Sequence, residues 1–150
     1  MTTDYIESGD LIYSRILQVW NDESPAIFGY VPKLYWPNKA IPDKVDGSKS
    51  WGRVTRRAVS EEQSGFVSCV YNSQVRYENN GIIFIQLFGS ISENSDVKIQ
   101  KLSEALKNNF KRRCTDNKVI FRNSRINPLD PEDLFYRYNV VFEYQYDVLV

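Results

Sequence analysis

The run GIIFIQLFG, residues 81–89, constrains this chain more than any other stretch. Ile82, Phe84 and Phe88 alternate with Ile83, Ile85 and Leu87, so apolar side chains leave an extended backbone on both sides. β-Branched and aromatic residues dominate it, and it is too short to span a bilayer. It reads as a central strand covered on both faces. A polar turn follows at 90–95, where Asn94 or Ser95 is placed to cap a helix. From Asp96 the period changes. Ile99, Leu102, Leu106 and Phe110 recur at helical spacing with Val97 and Ala105 beside them, while Lys98, Lys101, Glu104, Lys107 and Lys111 take the other faces. Lys111, Arg112 and Arg113 are expected in the last turn, where cations meet the negative end of the helix dipole. The unit is a strand, a turn and a helix folded back onto a sheet.

At 150 residues the chain reads as a single domain over 1–150, long enough for one sizeable core. Lys+Arg and Asp+Glu both number 19, so no overall charge draws it to nucleic acid or to an anionic membrane. The acidic start, MTTDYIESGD, has no basic region ahead of an apolar one and is not expected to be a signal peptide. Cys69 and Cys114 lack metal-ligand spacing and suit a reducing cytoplasm. With ten Tyr, eight Phe and three Trp the chain is rich in rings that suit either a β-rich core or a subunit interface.

Taken in order, an amphipathic helix is expected over 9–21, capped by Ser8, with Ile12, Ile16, Val19 and Trp20 inward. Residues 22–50 carry Pro25, Pro32, Pro37 and Pro42 with one apolar patch at 34–36. They read as an extended arm lying on the body or on a neighbouring subunit, held by aromatic side chains including Phe28, Tyr30, Tyr35 and Trp36. A strand at 51–58 bears Arg53, Arg56 and Arg57, and a polar loop is expected at 60–65. Further strands follow at 66–71 and 74–77, with a tight turn at Asn80-Gly81. A short strand at 118–122 and a loop at 127–133 lead to a final segment. There Leu134, Tyr136, Tyr138, Val140, Phe142, Tyr144, Tyr146 and Val148 alternate with more polar residues. That run far exceeds the usual strand of about five or six residues, so it is expected to bend, bulge or project to pair elsewhere.

Catalytic chemistry has little to work with. The chain has no histidine, which removes His-assisted triads and His metal sites, and no phosphate-binding glycine motif follows a strand. Asp130, Glu132 and Asp133 form the densest carboxylate group. They suit a helix start or turn, with Pro131 at the first helical position, better than a divalent cation. Glu61 and Glu62 read as solvated, and Cys69 as a packed thiol. Arg53, Arg56 and Arg57 fit nucleic-acid phosphates or acids across a subunit interface, and the interface reading is preferred.

One resemblance draws these features together. An aromatic-Trp-Pro-Asn segment (Tyr35, Trp36, Pro37, Asn38) precedes an Arg-bearing strand. After it come the Gly-Ile-Ile-Phe-Ile-Gln-Leu-Phe strand, a polar turn, a helix ending in Phe110, a Val-Ile-Phe-Arg strand at 119–122 and an alternating Tyr/Val/Phe strand. In this order the chain resembles the tail terminator family of long-tailed bacteriophages, with its minor-tail and neck-protein relatives. The resemblance implies an α+β fold, with a mainly antiparallel or mixed sheet carrying one long helix and an N-terminal helix. It further implies a structural virion protein, assembled in the host cytoplasm, that needs no catalytic residue, metal or cofactor. That protein would form a homo-hexameric ring capping the tail tube, ending its growth and meeting the head connector or neck protein, with genomic DNA only passing through its lumen and no membrane partner. Candidate subunit or tube contacts are Arg53, Arg56, Arg57, Tyr30, Tyr35, Trp36, Tyr144 and Tyr146. The alternatives are a head–tail connector or tail-completion protein and, from another class, a nucleic-acid-binding module.

Overall fold

A computed structural model describes residues 2–42, 45–66, 75–111, 114–115 and 118–150. The fold is α+β. Helix α1 (Tyr5–Phe28) and strands β1 (Lys33–Tyr35), β2 (Trp51–Phe66) and β3 (Val75–Ser90) precede helix α2 (Asp96–Asn109). Strands β4 (Cys114–Thr115), β5 (Val119–Glu132) and β6 (Phe135–Leu149) complete it. The strands form one mixed sheet in the order β1-β2-β3-β6-β5-β4, in which β1 is parallel to β2 and the other pairs are antiparallel. The 81–89 run lies in β3, at the centre. Ile83, Ile85 and Leu87 are fully buried beneath the helices, beside Val140, Phe142 and Tyr144 of β6.

Helix α1 begins a turn earlier than its periodicity suggests, because Asp4 rather than Ser8 is the N-cap and accepts from the Glu7 amide at 2.7 Å. It also continues through Pro25 to Phe28, so the first part of the expected arm is helix. Ile12, Ile16, Trp20, Ser24 and Phe28 form one buried stripe at four-residue spacing, and the small polar Ser24 hides its continuation. Gly29, at φ 78°, ends the helix in the left-handed conformation, and its amide bonds the Pro25 carbonyl. In α2 the expected stripe holds: Ile99, Leu102, Leu106 and, just past the end, Phe110 are fully buried, whereas Val97 is exposed. Ser95 is the N-cap position, but its hydroxyl donates to the Ser90 carbonyl instead of capping. Lys111 lies beyond the helix end, and Arg112 and Arg113 fall outside the described residues. Phe110 stacks on Phe142 at 4.0 Å and meets Phe121 edge-on at 4.9 Å. Arg15 of α1 lies over Phe110 and donates to the Asn109 carbonyl, closing the C-terminal end of α2.

Several expectations are corrected. The polar loop at 60–65 is strand, paired with β3 after a register shift around Val59, and the Asn80-Gly81 turn is strand as well. Gly81 has no positive φ; a Cβ there would lie 2.2 Å from the Tyr144 ring, so glycine is needed for close approach. The 127–133 loop is mostly β5, which ends in a tight turn through Asp133 (φ 52°), and no helix starts at Asp130. The final strand does not project. Every residue from Phe135 to Leu149 has a partner on β3, because β3 is long enough to pair with all of it. Of the expected strand at 66–71, only Phe66 is described, and Cys69 lies outside the described residues. Thr3 and Val150 lie at one end of the sheet, where Thr3 bonds Asp147 and Val150 pairs with Val75.

The largest correction concerns the faces. Both helices pack on one face, and among the described residues no element covers the other. Ile82, Phe84 and Phe88 are therefore only half-buried.

Candidate interaction surface

Cross-strand register assembles the open face. Trp51 of β2 stands opposite Phe88 of β3, and their rings stack at 4.1 Å. Phe135, at the start of β6, meets both edge-on at 6.1 and 6.2 Å. Arg53 lies 5.7 Å over Phe88, and its Nε donates to Gln86 Oε1. Phe84 is flanked by Thr55 and Val141, and Ile82 by Arg57 and Glu143. At the Trp51 end a groove of about 520 Å³ runs between Val45, Trp51, Phe88 and the β5–β6 turn, where Leu134 is 59% exposed. Trp51 is 8% exposed, yet its Nε1–H finds no acceptor among the described residues. The face thus combines half-buried rings and cations around a buried indole N–H.

The three arginines of β2 part company. Arg53 and Arg57 belong to the open face. Arg56 points under α1, half-buried and held by partners within the protomer. Its guanidinium donates to the Tyr144 hydroxyl (2.9 Å), the Tyr5 carbonyl (3.0 Å) and Ser8 Oγ (2.9 Å), and it lies 3.9 Å over the Tyr5 ring. Burial opposes its charge, but the Tyr144 hydroxyl and neighbouring rings outweigh that, and its pKa is raised. Tyr144 and Tyr146, at 3% and 5% exposed, are core residues of the helix-covered face rather than contact residues. The even spacing of β6 announced a buried row without saying which side would be covered.

The arm residues also turn inward. Trp36 packs on Tyr13 at 5.5 Å and Tyr35 meets Trp51 edge-on at 5.6 Å. Tyr30 donates its hydroxyl to the Glu93 carboxylate, which also accepts from Ser50 Oγ at 3.0 Å. The Ser50 amide donates back to the Tyr30 oxygen at 3.1 Å. Burial first, then the Glu93 hydrogen bond, raises the Tyr30 pKa. This network fastens the arm to the turn before α2. Among the carboxylates considered for a metal, Glu132 pairs with Arg137 at 2.8 Å. Among the described residues no cluster of His, Cys, Asp or Glu has a metal-holding arrangement. No described helix is long and apolar enough to cross a membrane.

No protein-family model matches the chain, and no curated protein is similar to it. It is similar to a solved structure designated only by a sequence identifier, with a TM-score of 0.60 at 12% identity, covering 92% of this chain and 94% of that one. At that identity the likeness shows the fold alone.

Proposed function

We propose that this protein is a structural component of a phage tail, a terminator whose copies form a ring on the end of the tail tube. The observation that carries the reading is the open sheet face, where Phe88, Phe135 and Arg53 stay half-buried around the stacked Trp51 and Arg57 is exposed. A fold that covers only one side of its sheet leaves apolar area whose burial stabilises an assembly. The order of elements, from the Tyr35–Asn38 segment to the alternating last strand, supports the same reading. A head–tail connector would use the same kind of surface against a different neighbour.

The test is tube growth. Purified protein added to polymerising tail-tube subunits should bind tube ends and narrow the length distribution seen by negative-stain microscopy. Unchanged lengths with bare ends would overturn the reading. Duplex DNA binding that collapses steeply with salt would favour the nucleic-acid alternative.

A further inference from the structure

We infer that copies of this chain join edge to edge, β2 of one against β5 of the next, so that their sheets run on into one another. This deepens the ring reading by naming its seam. β1 covers only Trp51, Gly52 and Arg53 of β2, and β4 covers only Val119 and Ile120 of β5. Residues 54–66 and 121–132 therefore carry no outer strand among the described residues. Such edges hold unpaired backbone donors and acceptors that template pairing with another chain. The two open stretches are nearly equal in length. Set against each other, they leave β1 and β4 beyond opposite ends of the new pairing, where neither obstructs it.

Charge identifies the occupant as a second copy. β2 is antiparallel to β3, β3 to β6 and β6 to β5, so β2 and β5 run in opposite directions. A neighbour in the same orientation thus presents its β5 antiparallel to β2. Arg57, early in β2, then faces the half of β5 that bears Asp130. Glu61 and Glu62, late in β2, face the half that bears Arg122 and Arg125. None of these six takes part in an ion pair among the described residues. Within the protomer Glu62 stands directly opposite Glu78, a pair of like charges that disfavours itself, whereas the next carboxylate across, Asp147, is held by Arg76. A neighbour's Arg125, which shares the open face by register, relieves it. A two-fold pairing of β2 with β2 would also match Arg57 to Glu61, but it would leave the β5 edge bare.

The test is sedimentation velocity of the full chain with three variants: Glu62→Arg, Arg125→Glu and the two together. The parent should sediment as a closed oligomer. Each single change should weaken association at least tenfold, and the double change should restore it, since every seam contains one residue of each kind. Restoration also excludes simple unfolding, which circular dichroism checks directly. If Arg125→Glu is silent while Glu62→Arg is rescued by Arg57→Glu, the seam is β2 on β2 and the inference is overturned. A monomer at every concentration, or an oligomer indifferent to all three variants, overturns it too. Tube capping, read separately from tube lengths, then still decides the functional reading.

Discussion

Arg56 and Arg57 are adjacent in sequence, and their environments are opposite. Arg56→Ala removes three hydrogen bonds to a half-buried cation and strands the Tyr144 hydroxyl. It should cost about 2–3 kcal/mol in urea unfolding. Arg57→Ala, on an exposed site, should stay within about 0.5 kcal/mol. The same contrast separates two apolar residues, Leu106 of α2 and Phe84 of β3. Leu106→Ala opens a cavity in the packed layer and should cost about 2–5 kcal/mol. Phe84→Ala, on the half-open face, should cost about 1 kcal/mol in the isolated protomer. Equal losses at the two positions would mean that something covers both faces. Alternation in β3 revealed two apolar rows; nothing local says that only one of them receives helices.

Elements were legible where a period ran uninterrupted. The α2 stripe from Ile99 to Phe110 is read correctly because burial there follows one simple spacing, and in β6 the alternation is legible although Tyr144 and Tyr146 lie in the core and not at a contact surface. Misreadings cluster where strands are polar. The second half of β2, with Glu61 and Glu62, and the start of β3, with Glu78, Asn79 and Asn80, extend beyond the helix cover. Solvent there tolerates loop-like residues in a paired strand. In α1, Pro25 looks like a stop, but the stripe through Ser24 and Phe28 outweighs its lost hydrogen bond, and the true stop is Gly29. Gly29→Ala should therefore lower stability by about 1 kcal/mol, as a Cβ enters the left-handed region, with no loss of helix content by circular dichroism. No such penalty would place the helix end elsewhere.

At the scale of the molecule, alkali should be the weak side. Burial raises the pKa of Tyr13, Tyr30, Tyr138 and Tyr146 above the ordinary tyrosine value of 10.0, with hydrogen bonds to Glu93 and Asp96 adding to it at Tyr30 and Tyr138. The folded chain therefore holds phenolic protons to higher pH than the unfolded chain does. Stability from these groups is complete below the unfolded value and is lost as pH rises through the folded ones. Urea midpoints should fall steadily as pH rises through and beyond the ordinary tyrosine value of 10.0, and Tyr30→Phe should flatten the slope. A flat profile would refute it. The full-length pairing of β3 with β6 has a kinetic side as well. β2–β3 and β5–β6 are each built from strands adjacent in sequence, whereas β3 meets β6 only after α2, β4 and β5 have been made. Two hairpins can thus form early and wait, and their docking along β3 and β6 closes the largest loop and sets the pace of folding. Until that moment the two most apolar strands of the protein are both bare edges, so crowded synthesis should trap this chain as aggregates more readily than its native stability suggests.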